Sequence, residues 1–246
     1  MVAAKPVLIV AEIGSNHLGK LDLAKDLIST AAQAGADIVK LQAFNEEIWT
    51  DEAWGKRRGL ELTPEFAEEC AAYATYLGLE FMCTPLYVDA VRWLDPLVKR
   101  WKIASADVGN RDLVKAIYDT GKQAFFSTGV TKYAHLARMD WIPLVCVSRY
   151  PALVEEYKFP LSGGAWGLSD HTLGSHLAIA AVARGAQVIE KHIKLDNQPD
   201  SPDRDHSVGP LFFMQFVREI REVEKALSNL TQSSHRIGKG RKVYEG

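Results

Sequence analysis

Cysteine is scarce in this 246-residue chain: Cys70, Cys83 and Cys146 stand far apart, odd in number and without a CxxC pair. That excludes a disulfide framework and fits a reducing cytoplasm. Charge of one sign is lacking as well. The 29 Lys and Arg against 31 Asp and Glu leave a formal net charge of −2, with no basic block, which argues against nucleic acid as a partner. No apolar run reaches the length of a membrane span. The first, residues 7–11, is strand-length and runs straight into Glu12, so neither a membrane segment nor a signal peptide is expected. No GxGxxG follows that run, which counts against a dinucleotide-binding open sheet. Linkers, repeats and low-complexity tracts are missing before residue 230.

What is present is a regular alternation. Short apolar runs fall at 7–13, 37–41, 80–83, 101–104, 124–127, 144–147, 165–168 and 187–190. Amphipathic stretches at 20–34, 64–77, 88–97, 112–120, 175–184 and 211–227 read as helices, with shorter candidates at 133–138 and 154–157. Several of the longer helices end in glycine before the next strand, at Gly35, Gly78, Gly121 and Gly185, as left-handed C-caps require. Eight strands of near-continuous apolar character predict a parallel sheet covered by helices. The fold class is therefore α/β, a (β/α)8 TIM barrel over residues 1–230, and residues 231–246 form a polar, basic tail.

In such a barrel, chemistry collects where strands run into the following loops. Polar residues occupy all eight such points: Glu12 then Ser15, Asn16 and His17; Lys40 and Gln42; Thr84; Lys102, Ser105 and Asp107; Ser127; Ser148 and Tyr150; Ser169, Asp170 and His171; Glu190, Lys191 and His192. Two lysines within strands need anionic partners, so Lys40 and Lys102 predict a phosphate or carboxylate ligand. His171 and His192, 21 residues apart at neighbouring strand ends, predict a divalent metal. Plainer readings stand beside these. A strand-end Ser or Thr also serves as a helix cap, Lys191 is expected in solvent or paired with a helix acid, and His17, His135, His176 and His206 are expected at the surface or in caps, with contact to substrate the lesser alternative for His17 and His206.

The stretches 11–19, Lys40-Leu41-Gln42, Cys83-Thr84-Pro85, Lys102-Ile103-Ala104-Ser105, Ser127-Thr128-Gly129, Tyr150-Pro151, 169–174 and Glu190-Lys191-His192 together resemble the N-acetylneuraminate (sialic acid) synthase family, which also makes legionaminic and pseudaminic acids. The resemblance runs from about residue 8 to 240. It implies an enzyme of carbohydrate biosynthesis that condenses phosphoenolpyruvate with an open-chain N-acyl sugar aldehyde and releases phosphate. By matching position it implies Mn2+, or another divalent ion such as Mg2+ or Co2+, on His171 and His192. Lys40, Thr84, Lys102, Ser105, Ser127 and Ser169 would hold phosphoenolpyruvate. Gln42, Ser148, Tyr150 and Asp203 would face the sugar, and Glu12, Asp107 and Glu190 would manage protons and water.

Departures from the family pattern sharpen the expectation. The sequence stops where the family continues into a C-terminal antifreeze-like domain that supplies an arginine to the partner subunit's sugar. A separate chain is one way to complete the site, and Arg57, Arg58, Arg149 or Arg204 is another; pairing of barrel ends into a homodimer is a further expectation. Asp107 stands for the family's glutamate and Ser148 for its asparagine, and the loop 45–62, with Trp49, Trp54 and Lys56, is short. These changes lie on the sugar side and predict altered acceptor specificity. Two alternatives remain: a 3-deoxy-sugar-acid synthase using a phosphosugar, disfavoured because no cysteine ends the first strand, and a degenerate barrel that binds a partner.

Overall fold

Strands buried on both faces read as unbroken apolar runs, and here they form one parallel ring. The computed structural model describes residues 6–48, 52, 55–130, 136, 140–160 and 164–233. In order these give β1 (Leu8–Gly14), α1 (Leu21–Ala34), β2 (Ile38–Ala43), α2 (Pro64–Tyr76), β3 (Glu80–Pro85), α3 (Val88–Leu94), β4 (Trp101–Ile103), α4 (Arg111–Asp119), β5 (Ala124–Ser127), β6 (Ile142–Val145), β7 (Gly167–Asp170), α5 (His176–Ala183), β8 (Val188–His192) and α6 (Pro210–Ser233). The strand order is β3-β2-β1-β8-β7-β6-β5-β4, and the terminal strands β3 and β4 lie side by side. This is the expected (β/α)8 barrel, nearly closed.

Period-2 alternation sorts each strand into an inward and an outward set. Val10, Ile38, Met82, Phe125, Ile142, Leu144 and Val188 pack together as an apolar plug within the ring. Two residues further along their strands, the same inward rows carry Glu12, Lys40, Thr84, Ser127 and Glu190, all buried. The opposite rows, among them Ile9, Ala11, Val39, Leu41, Phe81, Ile103, Phe126, Leu168 and Ile189, meet the helices in the main core. The plug thus forms a dry floor, and the charged layer rests on it.

Some boundaries differ from the sequence reading. β6 begins at Ile142 because Ile142 and Leu144 pair with Phe125 and Ser127; Pro143, a poor strand signal, hides that start. β7 runs two residues later than expected, because Ser169 and Asp170 pair with Glu190 and Lys191. Residues 154–156 form a single 3-10 turn, Val154–Glu156. The final helix reaches Ser233, beyond its expected end at 227. The helix at 133–138 (apart from Leu136), His135, Trp49, Trp54 and the tail beyond residue 233 lie outside the described residues. Among those described, no helix is long and apolar enough to cross a membrane.

Lys191 corrects an expectation. It does meet an acid, but on a strand and in the core. The alternation that turns Glu190 and His192 inward turns Lys191 outward, where its Nζ lies 2.8 Å from Asp170 Oδ2 with both side chains fully buried. It also donates to the Gly174 carbonyl at 3.0 Å and to that of Thr172, and lies 5.5 Å from the centre of the Phe216 ring. A buried ammonium needs such complete satisfaction. The pair ties β7 and β8 to α6.

Candidate active site

The charged layer is one connected network. Lys40 Nζ lies 2.8 Å from Glu12 Oε2 and donates to Thr84 Oγ1 at 3.0 Å. Gln42 Nε2 donates to Glu12 Oε1 at 2.6 Å. Across the ring, Lys102 Nζ donates to Ser127 Oγ at 2.7 Å and to the Ile103 carbonyl at 3.1 Å. Glu190 stands between the lysines, Oε2 3.5 Å from Lys40 and Oε1 3.9 Å from Lys102, and accepts from Ser169 Oγ at 2.7 Å.

Burial and charge set the protonation pattern. Burial raises the Glu12 carboxyl to about 7 despite Lys40, with Glu190 adding to the rise. Burial acts on Glu190 in the same sense, but Lys102 and Lys40 outweigh it and hold the group near 2. Burial pulls Lys40 down, yet Glu12 and Glu190 leave it above its ordinary value, whereas burial prevails at Lys102 and lowers it. Two carboxyls in one dry layer are thereby pushed apart, a pattern common at sites that move protons. Asp107, in the 3-10 turn Ser105–Gly109 after β4, is raised to about 6 by burial, with Lys102 opposing.

Beyond the charged layer, Gly129 makes a close approach possible between the loops after β4, β5 and β6. Its N–H donates to Ser105 Oγ at 3.0 Å, and a Cβ there would stand 2.5 Å from Ser148 Oγ. The hydroxyls of Ser105 and Ser148 thus both lie against Gly129.

The histidines lie above the same network. His171 Nδ1 is 2.7 Å from the Val147 carbonyl, which can only accept, so Nδ1 carries the proton and Nε2 keeps its lone pair. Nε2 sits 3.3 Å from Ser169 Oγ. His192 is 5.8 Å from His171 between ring centres, and its Nδ1 is buried with no hydrogen-bond partner. Burial lowers His171 to about 4 and His192 well below its ordinary value. Neutral imidazoles with an uncommitted nitrogen are the form a metal takes, so the residues fit a divalent ion. Tyr150 lays its ring 4.2 Å from His171 and 4.6 Å from His206.

Two histidines expected at the surface are buried. His17 is inaccessible, its Nδ1 accepting from the Gly19 N–H at 3.1 Å and its ring against Phe66 at 5.1 Å. His206 comes back into the mouth, its ring 4.6 Å from His192. Metal-ligating atoms of His192, Asp203 and His206 all lie within 4.8 Å of one another. From sequence, His206 reads only as a surface, cap or substrate-contacting residue and is not grouped with His192. The available signal was its place three residues after Asp203, in the segment that follows the last strand. Asp203 itself accepts from both the N–H and the hydroxyl of Ser15, at 2.6 and 2.8 Å. Gly14, at φ +55°, makes room for that contact, since a Cβ there would overlap Asp203 Oδ2.

The four arginines considered for the acceptor are less central. Arg149 pairs with Glu156 at 3.1 Å, and Arg204 with Asp200 at 3.3 Å and Asp205 at 3.0 Å. Arg58 is exposed and Arg57 half-buried. A cavity of about 480 Å³ between the start of α1 and residues 195–199 lies outside the ring. It contains none of the network above.

The sequence model described as the NeuB family matches residues 27–232. The N,N'-diacetyllegionaminic acid synthase of Campylobacter jejuni is 32% identical over 262 residues, covering 92% of this chain and 78% of that protein. The N-acetylneuraminate-9-phosphate synthase of Mus musculus is 30% identical over 261 residues, covering 92% and 73%. The crystal structure of an N-acetylneuraminic acid synthetase from Leptospira borgpetersenii, in complex with citrate, superposes with a TM-score of 0.81 at 29% identity, over 94% of this chain and 92% of that one.

Proposed function

The chain belongs to the NeuB family, and from that premise we propose that it condenses phosphoenolpyruvate with an open-chain N-acyl sugar aldehyde, giving a nonulosonic acid and phosphate. The observation that carries this reading is the pair of buried lysines held on either side of Glu190. Two cations on a dry floor, ringed by the hydroxyls of Thr84, Ser127 and Ser169, suit a small ligand with two anionic groups. Phosphoenolpyruvate has a phosphate and a carboxylate.

In this reading Lys40 and Lys102 neutralise the ligand's charges throughout the reaction. Thr84, Ser105, Ser127 and Ser169 orient it, so that its C3 meets the aldehyde carbon and forms the new C–C bond. Cationic character then develops at C2, beside the ionised Glu190. Water adds at C2, with Glu12 or Asp107 taking its proton, and the C2–O bond to phosphate breaks. Gln42, Ser148, Tyr150 and Asp203 face the acceptor. A divalent ion such as Mn2+, Mg2+ or Co2+, held by His171 and His192, would polarise the aldehyde oxygen as a Lewis acid.

Arg149 and Arg204, each paired to a carboxylate near Tyr150 and Asp203, are proposed to meet an acidic or phosphorylated acceptor. Mass spectrometry of the products tests the reading: it predicts a species equal to phosphoenolpyruvate plus acceptor plus water minus phosphoric acid. Pyruvate as the sole product would refute it.

A further inference from the structure

The loop after β8 does more than pass the mouth. It is anchored at several points, so its side chains arrive in fixed positions. Asn16 Nδ2 donates to the Ile193 carbonyl at 2.7 Å and to Ser207 Oγ at 2.9 Å, and Ser201 Oγ donates to Asn16 Oδ1 at 2.5 Å. Gln198 Nε2 donates to the Asn16 carbonyl at 2.8 Å, and Ser207 Oγ to the Asp203 carbonyl at 2.6 Å. Residues 198–207 are thereby clamped onto the loop after β1.

This clamp divides the labour of Asp203. Its Oδ2 is consumed by Ser15, while Oδ1 faces His206 Nε2 at 3.4 Å. That separation lacks hydrogen-bond geometry, and His206 Nε2 is buried without a hydrogen-bond partner, as is His192 Nδ1. Two imidazole nitrogens are thus buried without a hydrogen-bond partner, in a cluster where ligating atoms of His192, Asp203 and His206 lie within 4.8 Å of one another. Such orphaned groups cost free energy unless a ligand occupies the space between them. The Ser15 contacts to Asp203 are the outer-shell support that fixes a ligating carboxylate.

We propose that His192, Asp203 and His206 form a protein-only seat for a divalent transition ion, filled before phosphoenolpyruvate or sugar arrives. Two imidazoles and one carboxylate make a three-donor set with open positions left for water or substrate, suited to Fe2+, Mn2+ or Co2+. A pair of strand-end histidines alone would depend on substrate oxygens to complete a shell. The loop-borne set does not. The use made of this ion rests on the condensation reading above, but its binding in the free enzyme does not.

The test is Co2+ titration of the full chain without phosphoenolpyruvate or sugar, followed by visible absorption and calorimetry. One ion per chain is expected, with affinity reduced at least ~10-fold in His206→Gln and in Asp203→Asn. In the unaltered protein, which removes any concern over misfolded variants, proton NMR should show two paramagnetically shifted imidazole N–H signals. Loss of binding in His171→Ala with none in His206→Gln would overturn the proposal and leave the strand-end pair as the seat. Co2+ binding only when phosphoenolpyruvate is added would also overturn it, while the condensation reading survived.

Discussion

Glu190 separates Lys40 from Lys102, its two oxygens 3.5 and 3.9 Å from the respective ammonium nitrogens. Both spacings exceed the roughly 2.7–2.9 Å of a charge-assisted hydrogen bond. Glu190 therefore balances the lysines without saturating them, and each keeps donor capacity for an incoming anion.

Removing one of these cations should be felt chiefly in phosphoenolpyruvate binding. Truncating a partner in a buried charged contact costs about 2–5 kcal/mol. Calorimetry on Lys102→Met is expected to give a dissociation constant for phosphoenolpyruvate at least ~30-fold higher, since 1.4 kcal/mol is tenfold. A change under ~3-fold would place the ligand elsewhere.

The Lys191–Asp170 pair makes a separate prediction about stability. Both side chains are fully buried, so Lys191→Met leaves a carboxylate stranded and should cost about 3–5 kcal/mol in urea unfolding. The double variant Asp170→Leu with Lys191→Met removes both charges and should recover most of that loss. If the double variant were as unstable as the sum of the single ones, the account of the pair as a mutually dependent unit would be wrong.

Asp107 gives the pH dependence. Its carboxyl is raised from 3.8 to about 6 by burial, so the folded state favours the protonated form. Its contribution to stability is fully present below the unfolded value and is lost as pH rises through about 6. Asp107→Asn should match the parent near pH 4 and exceed it in melting temperature at pH 8. A variant less stable than the parent at pH 8 would show that Asp107 is held by a favourable partner instead.

Gly14 links backbone conformation to the position of Asp203. At φ +55°, with Asp203 Oδ2 where a Cβ would stand, alanine meets both strain and overlap. Gly14→Ala should lose roughly 1–2 kcal/mol from the left-handed conformation alone. It should also weaken Co2+ binding by displacing Asp203. Unchanged Co2+ affinity would separate Asp203 from the ion.

Much of this architecture was legible in the sequence because period-2 alternation and strand-end polarity are local signals. Lys40, Lys102, Glu12 and Glu190 could be placed in one ring from the spacing of apolar runs alone. What escaped depends on long-range packing. Pro143 concealed the start of β6, and only the ladder to β5 reveals it. Lys191 looked like a surface charge because its neutralising partner, Asp170, lies on another strand. His206 joins His192 through a loop whose path is set by Asn16, about 190 residues earlier in sequence.

The decisive measurement is phosphate release from phosphoenolpyruvate with Mn2+ and a panel of aldoses: N-acetylmannosamine, its diacetamido relatives and their phosphorylated forms. Release is expected to require an acceptor from this panel and to be abolished in His171→Ala and Lys102→Met. Release at the same rate without any sugar, or release that survives both substitutions, would contradict the condensation reading.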